Sequence, residues 1–497
     1  MGHRQGSQAN NNKEYRMNNN KQHTHTLLAL ALLGGLITSV PVQAGGFSTP
    51  TYGAPGWGRA FGGGSLFKND PSAAYNNPAA MAFIDSSIAQ QTVDYARVKI
   101  KYSGQAYDYA GNPVTHTPVL DELGNTGEPV LNNNNGGQGG FTAWLPTGFL
   151  VIPMGDRFAF GLSQVVPQGM RTTWNENSKF RDFAVDTKIE TVGLTGSLSF
   201  KVNDQFSIGG GAIVQRSQGF VSQNVDLLAA AAVSPGLGGS AFPSGVGESL
   251  IRVKVDNISV GWFGGVVWKP TEKDTLGVNY HAKIKNKLTG KYNIRTDAIG
   301  RNATTAPIGP NGETLVELAY PGLKLFPDGA HASTQLDIPA TASLDWVHQF
   351  NDRWALGVSA TWTEWSSFQD LTLKSQGETI VAIPYHYKNA WMTSIGGDYK
   401  ATDALTLRAG VAHDQTPTRN STRDPRIPDG DRYFLAFGAG YAIKAVPGLS
   451  VDAAYSHQFV EKVNLKTQNV DRLGAGQLDG KAESSGDVLS VSATYAF

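Results

Sequence analysis

The chain contains no cysteine, which removes thiol nucleophiles, cysteine-ligated metals and any disulfide framework. It is also short of charge. Asp, Glu, Lys and Arg make up 16% of its 497 residues, and 41 basic side chains balance 41 acidic ones. Soluble domains carry roughly 25% charged residues, and nucleic-acid binders carry a basic excess. Neither pattern is present. The local signatures of hydrolytic enzymes are missing as well: there is no G-x-S-x-G elbow and no H-E-x-x-H pair, and His281 and His386 stand alone. One long apolar run exists, Thr26–Ile37, after Lys21 and before the small-x-small triplet Val42-Gln43-Ala44. It reads as a secretory signal peptide, too short to span a bilayer. If translation starts at Met17, residues 1–44 are an upstream extension plus signal, and the mature chain begins near Gly45. No later stretch of about 18 apolar residues occurs, so membrane residence must be built from strands.

What is present suits that solution. Glycine is abundant (58 residues), aromatics reach 10%, and the mean hydropathy is slightly negative. In a transmembrane barrel alternate side chains face lipid and lumen, so the average comes out near neutral. From about residue 89, segments of alternating polarity are joined in turn by tight and by long connections. The tight ones are Gly155-Asp-Arg157, Asn203-Asp-Gln205, Thr271–Asp274, Asn351-Asp-Arg353, Thr402-Asp403 and Val446-Pro-Gly448, all rich in residues that satisfy turn backbone groups. The long ones cover about 105–140, 222–250 and 295–333. The alternation is plain in the last segment, where Leu489, Val491, Ala493, Tyr495 and Phe497 oppose Val488, Ser490, Ser492, Thr494 and Ala496. Another run sets Leu336, Ile338, Ala340, Ala342, Leu344 and Trp346 against Gln335, Asp337, Thr341, Ser343 and Asp345. Aromatics end several apolar faces, as an interfacial girdle requires. The fold class predicted is all-β: a transmembrane antiparallel β-barrel of about fourteen strands, residues 89–497. A terminal aromatic, Phe497, also suits recognition by the barrel-assembly machinery.

Residues 45–88 differ. They are rich in Gly and Ala, with Gly56-Trp-Gly-Arg-Ala60 and Asp70–Met81, and suit a compact hatch inside the lumen. Here the sequence resembles the FadL/TodX family of outer-membrane transporters for long-chain fatty acids and aromatic hydrocarbons. The matching pieces are Gly58-Arg59-Ala60, Asn77-Pro78-Ala79, Trp362–Trp365, Tyr387–Ala390, Leu407–Val411, Ile427–Arg432 and the terminal Tyr-Ala-Phe, in family order. The resemblance implies a fourteen-stranded barrel plugged by an N-terminal hatch, and passive uptake without cofactor or metal.

Expectations for individual residues follow. Leu227, Leu228, Leu237 and Phe242 in one long loop, and Leu318, Leu323, Leu325 and Phe326 in another, form apolar clusters that suit a landing groove. A fatty-acid carboxylate inside needs a cation. Alternation points Lys283, Lys285 and Lys287 inward, as it does Lys388, Arg408 and Arg432. Arg216 resembles the family's ligand-site arginine, although Gly209–Gly211 suggests a bulge before it. A family ligand-site lysine has its counterpart near Ile383, a departure that favours neutral hydrocarbons. Pro167 and Gly169 are candidate kink formers in the third strand, which the resemblance makes a lateral exit. The expected partners are a long-chain fatty acid or other hydrophobic ligand and outer-membrane lipid with lipopolysaccharide. Nucleic acid is not among them. An aromatic or alkane hydrocarbon carrier is the alternative, and a general porin the remoter one.

Overall fold

The computed structural model describes residues 46–107, 111, 113–114, 116–117, 130–131, 133–226, 248–296, 310–312, 314, 328–467 and 476–497. The signal-peptide reading and all eight landing-groove residues lie outside this set. Fourteen antiparallel strands close into a barrel. They are β1 Ile88–Tyr107, β2 Phe141–Met154, β3 Phe158–Val165 with Gly169–Thr173, and β4 Asp186–Lys201. Next come β5 Phe206–Asp226, β6 Glu248–Trp268, β7 Asp274–His281 with Lys287–Thr296, and β8 His331–Gln335 with Thr341–Gln349. The circuit continues through β9 Trp354–Thr363 with Asp370–Ser375, β10 Glu378–Pro384 with Ala390–Lys400, and β11 Leu405–Asp414. It ends in β12 Arg432–Ala442, β13 Leu449–Val460 and β14 Gln477–Ala496. Strand β14 returns to β1 over its whole length, from Ile88 opposite Ala496 to Tyr107 opposite Gln477. The seam leaves no open edge, which lipid could not satisfy.

The tight turns share one chemistry. Asn203 Oδ1 accepts from the Gln205 and Phe206 amides, and Asn351 Oδ1 from those of Arg353 and Trp354. Thr271 and Thr402 hydroxyls do the same for Lys273 with Asp274 and for Ala404 with Leu405. Each side chain replaces the partners that the turn backbone would otherwise lack.

Outside, an apolar belt runs round the barrel through such residues as Leu194, Ile258, Val260, Leu344 and Phe437. Aromatic pairs border it: Tyr95 with Trp144 at 4.8 Å on the long-loop side, Trp354 with Tyr399 at 4.4 Å on the short-turn side; Trp262 meets Tyr280 at 5.6 Å within it. Above the upper border the alternation changes frame. Strands β7, β8 and β10 break at 282–286, 336–340 and 385–389. At each break the inward face moves from one parity to the other. Val278 and Tyr280 face out, yet Ile284, Leu288 and Tyr292, also even-numbered, are buried. Leu344 and Trp346 face out, yet Leu336, Ile338 and Ala340 are buried. In β10 Trp391 and Ile395 face out, yet Ile383, Tyr385 and Tyr387 are buried. Pro339 within one break and a positive φ of 47° at His386 within another accompany the changes. The single apolar face read from Leu336 to Trp346 is therefore two faces of opposite direction. Leu344 facing lipid and Gln335 facing water predict different costs for the same charge. Leu344→Arg should lower stability by about 2–4 kcal/mol, and Gln335→Arg by less than about 0.5 kcal/mol, in urea unfolding from lipid vesicles.

Candidate functional site

Residues 46–87 pack against the strands of the barrel wall. Two short helices, α1 Ala54–Gly58 and α2 Ala73–Asn76, and a tighter turn at Pro78–Phe83 carry the segment. Its backbone comes so close to the wall that side chains are excluded at contact points. A Cβ on Gly396 or Gly410 would lie about 2 Å from the Arg59 carbonyl, and one on Gly209 would meet Pro78 and Ala79 at 2.5 Å. Glycine is the residue that permits such an approach. The pairing registers of β5 run through Gly209–Gly211 unbroken, so the expected bulge is absent, and Gly209 serves contact instead.

Arg59 is buried and donates to Asp70 at 3.0 Å and to Asp398 at 3.3 Å, with its guanidinium 3.8 Å from the Phe67 ring centroid. Arg408 meets the same Asp398 at 3.4 Å and Asp452 at 2.7 Å. Two arginines and three carboxylates thus form one network joining the segment to β10, β11 and β13. Gly58 lies against Gly438 of β12. Asn77 accepts from the Ala79 amide, capping the turn that Pro78 starts, and donates to the carbonyls of Val266 and Val278 at 3.4 Å. The Trp57 indole donates to Asp94 of β1 at 3.2 Å.

Strand β3 is interrupted at 166–168. Below the break it pairs with β2 up to Gln164 opposite Gly148; β2 residues 141–147 have β1 as their ladder partner. Across this interruption the start of the described chain runs beside β3. The Thr49 amide donates to the Pro167 carbonyl and the Gly169 amide to the Phe47 carbonyl, both at 2.9 Å. Pro167, which lacks an N–H, presents only its carbonyl to this pairing.

The frame change builds an apolar chamber on the long-loop side. Phe47, Met170, Val253, Leu288, Leu336, Leu373, Ile383 and Ile427 share one buried cluster with Trp365, Phe368, Tyr385 and Tyr387. Below it, a cavity of about 180 Å³ is lined by Tyr52, Pro167, Ile284, Ile338, Trp365 and Met392 among others. Trp365 belongs to both, and Pro167 places the lower cavity at the β3 interruption. The segment 416–431 covers the chamber. Within it Arg426 pairs with Asp424 at 2.6 Å, fully buried, and donates to Gln223 of β5, while Asp429 pairs with Arg432 of β12. Arg423 is buried too, but its acceptors among the described residues are uncharged. They are the Thr418 hydroxyl, the Asn420 side chain and the carbonyls of Asp429 and Asn464. Close enough to feel its charge, the Tyr387 hydroxyl is buried with no hydrogen-bond partner among the described residues. Burial, then Tyr385 and Asp429, push its pKa well above the ordinary value, so it stays a protonated donor.

Several expected cations are placed elsewhere. Lys283, Lys285 and Lys287 are exposed on the outer face, because the frame change at 282–283 reverses their direction. Lys388 is exposed and Tyr387 buried, reversed by the break at 385–389. Arg216 faces out beside Val214 and pairs with Asp256 at 3.0 Å, since β5 keeps one frame throughout. Arg408 and Arg432 do point inward, each held by carboxylates. Ile383 is fully buried in the apolar cluster. The sequence reading missed Tyr385, Tyr387, Trp365 and Arg423. One signal was available: lysines at 283, 285, 287 and 291 directly after Tyr280 mark a strand that has left the lipid.

A closed barrel with an apolar belt outside and an apolar chamber inside defines an outer-membrane transporter for hydrophobic small molecules. Residues 35–497 match the family described as outer membrane protein transport protein (OMPP1/FadL/TodX), and the chain belongs to it. It is 65% identical to a Pseudomonas aeruginosa FadL homologue of known crystal structure, covering 91% of this chain and 100% of that one with a TM-score of 0.85. It is 24% identical to a long-chain fatty acid transport protein of Escherichia coli O6:H1, over 95% of this chain and 98% of the relative. The toluene transporter TodX of P. putida shares the fold at 20% identity and TM-score 0.63, over 90% and 98% of the two chains. The protein is a passive transporter of the outer membrane and not an enzyme.

Arg408 lies in a buried carboxylate network and Arg216 in an exposed pair, so equal truncations should differ. Arg408→Met should cost about 3–5 kcal/mol and Arg216→Met less than about 1 kcal/mol, measured by urea unfolding in vesicles.

Proposed function

We propose that the molecules carried are long-chain fatty acids. On this reading residues 1–44 are a removable leader, residues 45–88 are a hatch that plugs the lumen, and residues 89–497 are the barrel. Ligand collects on the long loops through Leu227, Leu228, Leu237, Phe242, Leu318, Leu323, Leu325 and Phe326. It then enters the apolar chamber, and leaves sideways past Pro167 and Gly169 when the hatch shifts. Binding energy that differs between two hatch arrangements is enough to bias the shift.

The observation that carries the reading is the apolar chamber with buried donors beside it. An alkyl chain gains by burial among Leu288, Leu373 and Phe368, at roughly 0.8 kcal/mol per methylene. Its carboxylate would be stranded there without a donor. Arg423 and the Tyr387 hydroxyl, which has no partner among the described residues, supply donors beside the apolar cluster, and a charge-assisted bond to carboxylate is the stronger kind. The 65% identity to the P. aeruginosa FadL homologue supports the same choice. A second reading, uptake of neutral aromatic or alkane hydrocarbons, is favoured by Ile383 at the position of the family's lysine and by the pairing of Arg426 and Arg432 with acids. The terminal Tyr495–Phe497 face would serve recognition by the assembly machinery, and lipid with lipopolysaccharide would surround the barrel.

Oleate binding to the refolded barrel in detergent, by calorimetry, tests the choice. Tyr387→Phe and Arg423→Gln should each weaken oleate about tenfold, the worth of one hydrogen bond to a charged group, and leave toluene unaffected. Arg216→Ala with Lys388→Ala should change neither ligand by more than about twofold. Toluene binding without oleate binding would transfer the assignment to hydrocarbons.

A further inference from the structure

Above the lipid belt the outward-facing charges are distributed unevenly. On the β13–β14 side, acids stand among the cations: Lys462 pairs with Glu483, Lys466 with Asp479 at 3.6 Å, and Lys101 stands opposite Glu483 in the ladder, while Lys99 and Lys481 face serines. On the β6–β9 side, Lys254, Lys283, Lys285, Lys287, Lys291 and Lys374 are all exposed. None of them has a carboxylate within ion-pair distance among the described residues; Asp256 is engaged by Arg216, and Asp337, across the bridge from Lys285, accepts from the Asn286 amide and the Gln335 side chain. Lys291 and Lys254 are direct partners across the β6–β7 ladder. Like charges directly opposite on neighbouring strands destabilise a sheet, and sequence offers many neutral residues that would avoid the cost.

The height of the patch indicates what relieves it. Ile258, Val260 and Trp262 on β6 are 66%, 67% and 60% exposed and mark the lipid-facing stretch. Lys254 lies four residues further toward the long loops, about 13 Å along the strand. Lys283 follows Tyr280, which meets Trp262 within that stretch. Thr289 pairs with Asp256 and Lys291 with Lys254, so Lys287 comes level with Ile258. The lysines therefore flank the loop-side end of the lipid-facing stretch, and Lys254 and Lys291 lie beyond it. We propose that this face binds the phosphorylated glycolipid of that leaflet, lipopolysaccharide, with Lys254, Lys287 and Lys291 holding its lipid-proximal phosphates. Each lysine gains from a surface of opposite charge, and the opposed pair loses its repulsion. The assignment rests on the orientation with long loops outside, and not on which hydrophobic molecule is carried.

The full-length barrel in detergent, titrated with purified lipopolysaccharide at physiological salt, provides the test. The triple variant Lys254→Gln, Lys287→Gln, Lys291→Gln should bind about tenfold more weakly or worse. The matching Lys→Arg triple variant should retain affinity. Replacement of Lys101, Lys462 and Lys466 by Gln on the balanced side should change it by less than about twofold. Dephosphorylated lipopolysaccharide should bind the wild type as weakly as the intact glycolipid binds the Gln variant. Heat-modifiable migration on gels and oleate binding, read in parallel, separate a lost glycolipid site from a misfolded barrel or a failed ligand assignment. Undiminished binding by the Gln variant, an equal loss on the balanced side, or indifference to the phosphates would each overturn the proposal. So would self-association in lipopolysaccharide-free detergent that the Gln variant abolishes, which would give the face to a second copy.

Discussion

The constraint on which the structure depends is that lipid accepts no unpaired backbone hydrogen bond. A sheet in that solvent must close, and the long β1–β14 seam closes it. Closure separates two faces with different solvents, lipid and lumen. Every later feature is a statement about which side chain is on which face: the belt of Leu and aromatic residues, the inward serines, threonines and aspartates, and the glycines against which residues 46–87 lie.

Above the belt the outer solvent becomes water and headgroups, and the economical response is to exchange the faces. Strands β7, β8 and β10 do so within a few residues each, turning Leu288, Leu336 and Tyr385 inward where they would otherwise be wetted. One event thus makes two surfaces at once. Inside it yields the apolar chamber, and outside it yields the lysine-rich face. The buried arginines divide in the same way. Arg59 and Arg408 are tied to carboxylates and hold the segment to the wall, whereas Arg423 has only neutral acceptors among the described residues, beside a tyrosine hydroxyl in an apolar setting.

Much of the scaffold was legible in the residues. Asn203, Thr271, Asn351 and Thr402 announced tight turns because their side chains can complete a turn locally, and they do. The outward run of β14 read correctly because no break disturbs its alternation. Reading failed where alternation was carried across a break. Lys285 was assigned inward by counting from Tyr280, and Lys388 by counting from Trp391, and each count crossed a frame change. Arg216 is a candidate by family resemblance, with its facing left open by a bulge that the glycines suggest; the unbroken ladder turns it outward, and Gly209 serves contact with Pro78 and Ala79.

Sequence by itself determined the class of protein: strands of lipid-spanning length, turns on one side and loops on the other, and a family signature spread over most of the chain. These are local properties, set by side-chain period and turn chemistry within a few residues. Tertiary structure alone decided which cations are inside, which are paired, and where the apolar chamber lies. Those depend on the phase of each strand relative to its neighbours. A single unpaired residue resets that phase, and only the closed ladder of hydrogen bonds fixes it.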